Sequence, residues 1–170
     1  MDPLRVDEIL AEVREDHDLV AEQLRILEEL EGAVASAEGT HLERALELLR
    51  DSSRFFQTKL IPHLDGEEQG MFLLLRECLP KGSTLIYELE AEHEQMRKLC
   101  ERLREELGWL RHEKHRQHQP LLFDLQALCA QIGRILHDHA EREEKLIQSH
   151  LKSGQDDLPG PVRSSRQEPH

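Results

Sequence analysis

Aromatic residues are scarce in this chain: four phenylalanines, one tyrosine and one tryptophan. Sheets favour aromatic and β-branched side chains, so this scarcity argues against a β architecture. Cysteines number three, Cys78, Cys100 and Cys129, with no CxxC spacing. An odd, scattered set argues against a disulfide framework, rules out a thiolate-only metal site and suits a reducing cytosol. No apolar run is long enough to span a bilayer, and the start, MDPLRVDEIL, lacks the basic-then-apolar layout of a signal peptide. Basic residues are outnumbered, leaving a formal net charge of −13. That surface repels nucleic acid and anionic lipid, so neither is expected as a partner. No Gly-rich phosphate loop, Ser/His/Asp set or cysteine nucleophile is present.

What the chain has instead is leucine and glutamate in abundance, the mixture of long amphipathic helices. Its 170 residues suffice for one domain with a sizeable core. Turn-like clusters stand at Glu38-Gly39-Thr40, at Pro80-Lys81-Gly82-Ser83 and at Gln119-Pro120. Thr40 with Glu43 reads as a capping box, and Pro120 suits a first helical turn. Between these marks lie four predicted helices, 5–37, 41–78, 84–116 and 120–151. Each carries an apolar stripe with steps of three and four: Leu10, Val13, Val20, Leu24, Leu27, then Ala45, Leu49, Phe56, Leu60. The third reads Ile86, Leu89, Met96, Cys100, Leu103, Leu107, Leu110, and the fourth Leu121, Leu125, Leu128, Ile132, Ile135, Leu146. Short connections make sequential helices antiparallel, so the expected fold is all-α, an up-down-up-down four-helix bundle over 1–151. Pro62 should kink the second helix. Residues 152–170, rich in Ser, Gly, Pro, Asp and Gln, are expected to be a disordered tail, with docking to a larger assembly as the alternative.

The halves of the chain resemble each other. His17 and His63 are 46 positions apart, as are His93 and His139; Glu67 follows His63 by four, as Glu143 follows His139. A single offset of 76 maps His17 to His93, His63 to His139 and Glu67 to Glu143, together with several leucines, which reads as an internal two-helix repeat. All six polar residues fall on seam positions where the pattern asks for apolar ones. Joint failure of a local rule marks function more often than accident. In an antiparallel bundle the six also share one level, about 15 Å from one end at the helical rise per residue.

Two His-x-x-x-Glu pairs, each on one helix face, can send an imidazole and a carboxylate to the same ion. With two more imidazoles the set has six ligands, and carboxylates that can bridge two ions make it suit a binuclear centre. Mixed nitrogen and oxygen donors fit iron, manganese or zinc. Without a cation, two buried carboxylates would cost several kcal/mol each or take up protons. His137-x-x-x-Glu141 matches the same pattern, but residue 137 lies off the seam and has Ile61 as its repeat counterpart. Cys100 reads as core packing. His112, His115 and His118, beside Arg111 and Lys114, complement a helix C-terminus. Glu68 and Glu144 either orient the ligand histidines or are solvated charges, the latter being the expectation.

The segments EDHDLVAEQL, IPHLDGEEQGMF, EAEHEQMRKL and DHAEREEKLI resemble the hemerythrin-like, HHE cation-binding family, over residues 17–143. The resemblance implies a hemerythrin-like four-helix bundle with a non-haem di-iron centre, two iron ions bridged by oxo or hydroxo and by two carboxylates. It implies Glu67 and Glu143 as those bridges and His17, His63, His93 and His139 as terminal ligands. Oxygen-carrying hemerythrins have a further histidine four residues from the one on the third helix, and an aspartate ending the fourth-helix motif. Here Leu89 and Arg97 flank His93 at that distance, and Glu143 stands at the shorter spacing. Glu90 or Tyr87 is a candidate substitute ligand. Two functions follow as expectations: binding or sensing of dioxygen or a related small ligand, or oxidoreductase chemistry on peroxide, nitric oxide or ferrous iron. A ferritin-like bundle is the runner-up, but its Glu-x-x-His pair, Glu90 to His93, has no second copy where Arg14 stands.

Overall fold

In a computed structural model, residues 20–36, 40–78, 83–110 and 118–156 are described. All the elements among them are helical, and none is a strand. Helix α1 covers 20–35. Helix α2, Thr40–Phe55, continues through a π-helical turn, Phe56–Leu60, into α3, Ile61–Gln69, and α4, Met71–Cys78. Helices α5, Ser83–Leu110, and α6, His118–Asp156, complete the described chain. Helix α6 thus runs five residues past the boundary at 151 that composition suggested. Gly154 lowers helix propensity by only about 1 kcal/mol and does not stop a helix by itself. Residues 157–170, the rest of the expected tail, lie outside the described residues.

The seam periodicity is realised in the buried positions. On α5 these are Ile86, Leu89, His93, Met96, Cys100, Leu103 and Leu110. On α6 the stripe sits one residue later than expected at two places: Leu122 and Leu136 are buried, while Leu121 and Ile135 are only partly covered. Neighbouring helices run in opposite directions. Gln23 donates to Ser52 and Arg44 pairs with Glu29, which orders α1 against α2. Gln57 donates to the Cys100 carbonyl, Arg97 pairs with Asp65, and Arg76 pairs with Glu90, which orders α2 to α4 against α5. His93 meets His139 while Cys100 lies near Cys129, which orders α5 against α6. At Gly133 an added Cβ would come within 2.9 Å of a Leu27 methyl, so the glycine lets α1 lie close on α6.

The disruption at Pro62 takes the form of the π turn just before it. Proline has no N–H to donate and its ring crowds the preceding turn. The Ile61 N–H donates five residues back, to the Phe56 carbonyl, and Pro62 then falls in the first turn of α3. The wider turn also corrects phase. Ser52, Phe56, Leu60 and Leu64 are all buried, three successive steps of four. In a uniform α-helix those steps would drift about 120° round the axis. The π turn absorbs that drift, so the residues after it keep facing inward.

The apolar interior is divided. A large cluster reaches as far as Leu64, Met96 and Leu136. A smaller one holds Met71, Phe72, Leu75, Ile86, Leu89, Leu146 and Ile147. Between them along the chain, on α3, α5 and α6, come buried polar residues: Glu67, then His93, then His139 and Glu143.

Cys100 and Cys129 are free and buried in the larger cluster. Burial pushes both thiols up to about 12. They should therefore resist a thiol reagent at pH 8 in the folded protein and react on unfolding, as peptide mass mapping would report. A raised value in the fold means stability that is full below the ordinary thiol value of 9.0 and declines as pH rises from there toward about 12.

Candidate metal centre

Three helices supply the described part of the polar layer. His63 and Glu67 lie one turn apart on α3, immediately after the π turn that sets their phase. His93 lies midway along α5, and His139 and Glu143 lie one turn apart on α6. Glu67, His93, His139 and Glu143 are buried, and the His63 side chain is only 8% exposed. His17 precedes Val20 and lies outside the described residues.

The Glu67 carboxylate is the meeting point. His63 Nε2 is 2.6 Å from its Oε1, while His93 Nε2 and His139 Nε2 are 3.1 Å and 3.5 Å from its Oε2. Yet neither oxygen accepts a well-aligned hydrogen bond. The Nε2 atoms of His93 and His139 are themselves 3.0 Å apart. Among the described residues, Glu67, His93 and His139 form a group whose ligand atoms all lie within 4.8 Å of one another. Glu143 is fully buried one turn beyond His139.

The outer faces of the two buried rings are also engaged. His93 Nδ1 is 2.8 Å from Glu68 Oε1, and His139 Nδ1 is 3.0 Å from Glu92 Oε2. Carboxylates only accept, so each Nδ1 carries a proton, and a neutral ring then has its lone pair on the inward-facing Nε2. Two lone pairs and a carboxylate then face one another in a dry interior. That arrangement is repulsive unless protons or a cation lie between them, and a cation with nitrogen and oxygen ligands fits it. Phe72 stacks on the His93 ring at 5.1 Å between centroids and shields it with an apolar face.

Burial raises the Glu67 carboxyl, but His139, His63 and His93 together outweigh it and hold the group well below the usual carboxylate range. Glu68 is likewise lowered: partial burial raises it, while hydrogen bonds from Arg97 and His93 lower it further.

Several expectations are sharpened by this geometry. Glu68 was expected to be solvated but is hydrogen-bonded to His93; Glu144 is exposed and accepts a hydrogen bond from Gln148. Tyr87 is 63% exposed, with the Arg76 guanidinium over its ring, and Glu90 pairs with the same arginine. Both are engaged with Arg76 on α4 rather than with His93. His137 and Glu141 are exposed and 3.7 Å apart, outside the core. His112 and His115 lie outside the described residues, as does the side chain of His118. Glu92 was missed. Its signal was an acid directly before the histidine in both halves, Asp16-His17 and Glu92-His93, at the same offset of 76.

The imidazoles hold the Glu67 carboxyl low, so the fold favours its ionised form. Removing that one partner and leaving the histidines, Glu67→Leu, should lower the metal-free protein's stability at neutral pH by about 3–5 kcal/mol while abolishing metal uptake. Thermal unfolding of the metal-free protein measures the first effect. A rise in melting temperature would show that the histidines do not depend on the carboxylate to pack.

No curated protein and no solved structure matches the chain. No helix among the described residues is long and apolar enough to cross a membrane. Residues 8–108 match the family model of the hemerythrin HHE cation binding domain. That span includes His17, His63, Glu67 and His93 and stops short of α6, whose His139 is tied to the same cluster by distance alone. With the match covering more than half its length and imidazoles converging on a buried glutamate, the chain belongs to the hemerythrin HHE cation-binding family.

Proposed function

We propose that this protein is a non-haem di-iron hemerythrin-like protein that binds or senses dioxygen or a related small redox ligand. The observation that carries the reading is the inward convergence of His63, His93 and His139 on the buried Glu67 carboxylate. In this reading His17, His63, Glu67, His93, His139 and Glu143 are the metal ligands, with Glu67 and Glu143 able to bridge two ions. The antiparallel pairings support an up-down-up-down bundle, and the offset of 76 supports an internal two-helix repeat. Two free core thiols suit a reducing cytosol.

When bound, the two ions supply one-electron redox chemistry and a Lewis-acidic place for a small ligand. The chain supplies the rest. Glu68 and Glu92 hold protons on the outer nitrogens of His93 and His139, leaving the inner nitrogens as donors. Phe72, Leu89 and Leu146 belong to the apolar cluster next to the polar layer, which restricts water and favours small uncharged ligands.

One observation favours a second reading, a di-iron oxidoreductase acting on peroxide, nitric oxide or ferrous iron. Positions four from His93 are a buried leucine, Leu89, and an arginine, Arg97, tied to Asp65 and Glu68. With Tyr87 and Glu90 also engaged elsewhere, no described residue near His93 completes the oxygen-carrier pattern, which leaves room for a substrate at the metal.

Anaerobic loading with ferrous iron should give two ions per chain by metal analysis. At free metal 100 times the dissociation constant, loading should stabilise the fold by about 3 kcal/mol, an effect reversed by chelation. On admission of air, a reversible, spectroscopically distinct adduct supports the binding reading; sustained peroxide consumption or repeated iron oxidation supports the enzyme. His63→Ala and His139→Ala should each sharply reduce bound iron. Unchanged metal content in both variants would remove the site assignment.

A further inference from the structure

Glu68 and Glu92 are not needed as ligands, yet each is held in a specific place. On α5, His93 and Arg97, one turn apart, both grip Glu68: the ring through Nδ1 at 2.8 Å and the guanidinium through Nη1 at 2.9 Å, each on Oε1. Arg97 is anchored further by Asp65 at 2.6 Å through Nη2. On α6, His139 and Arg142 grip Glu92 in the same way, the ring on Oε2 and the guanidinium on Oε1. In both cases the carboxylate comes from an earlier helix, and the histidine and arginine come from a later one. The wiring is repeated, although the two arginines differ in spacing from their histidines, four residues and three.

We infer that Glu68 and Glu92 are positioning residues for the metal centre, and that Arg97 and Arg142 are the clamps that keep those two carboxylates on the histidines. The inference rests on the metal-centre reading above. The reasoning is geometric. An imidazole in a helical core can rotate about its side-chain bonds and can carry its proton on either nitrogen. A carboxylate behind Nδ1 fixes both choices at once and makes Nε2 a stronger donor. The Glu68 side chain is partly exposed and could swing into solvent, where it would orient nothing. A guanidinium with several donors in a rigid fork holds it while leaving an acceptor site for the ring. Arg97 therefore supports a ligand through Glu68 rather than acting as a ligand itself.

The test uses the full-length protein with Glu68→Ala, Glu92→Ala and Glu68→Gln, and Glu94→Gln on the exposed side of α5 as control. Ring nitrogen NMR of the metal-free protein reads the tautomers without any metal. The parent should show Nδ1–H at His93 and His139; Glu68→Ala should lose it at His93 only, and Glu92→Ala at His139 only. Glu68→Gln, whose amide oxygen still accepts a hydrogen bond from Nδ1–H, should restore it. Ferrous iron titration should find each alanine variant about 10–100-fold weaker than the parent. Thermal unfolding of the metal-free forms separates a folding defect from a positioning defect, and Arg97→Gln and Arg142→Gln give independent variants with the same expected direction. Unchanged tautomers in the alanine variants, or iron affinity within threefold of the parent, would overturn the inference. A parent that takes up no iron would instead overturn the metal-centre reading, and this inference with it.

Discussion

An ionised carboxylate inside a helical core is among the least favourable things a protein can bury, and Glu67 is buried without a single well-aligned hydrogen bond. Three imidazoles, drawn from α3, α5 and α6, are arranged around that charge. Their inner nitrogens face it because carboxylates stand behind two of the rings, and those carboxylates stay in place because arginines hold them. The cost is met from either side of the layer. A large apolar cluster and a smaller one, containing Phe72 and Leu89, supply the burial that lets a polar layer persist between them. The same division confines the chemistry: water is kept out by leucine, isoleucine and phenylalanine.

Much of this was legible in the sequence because helical seams are strict. A stripe such as Ile86, Leu89, Met96, Cys100 has a gap at 93, and a histidine in the gap faces the core, since its neighbours on the stripe do. The same logic placed Glu67, His139 and Glu143 in the interior. It also separated His139 from His137, two residues away and exposed. Spacing reports which face a residue occupies, and burial follows from the face.

What spacing does not report is what side chains on the flanks do. Glu68 and Glu92 sit beside the seam, where acids are usually solvated, and only the position of the facing helix decides whether one reaches a ring. Tyr87 and Glu90 turn away from His93 for the same reason: their direction from α5 takes them to Arg76 on α4. The one-residue displacement of the α6 stripe, from Leu121 and Ile135 to Leu122 and Leu136, arises because adjacent apolar residues compete for the interior and periodicity alone does not choose between them.

The π turn at Phe56–Leu60 holds one residue more than an ordinary helical turn. An α-helix advances by about 100° per residue, so steps of four, three and four return almost to one face, whereas three steps of four do not. Losing a single residue from this stretch would turn the second pattern into the first, with His63 and Glu67 still facing inward from a plain α-helix; losing two would swing them toward a flank. The segment therefore tolerates a one-residue gap, and comparisons among relatives should allow for one there.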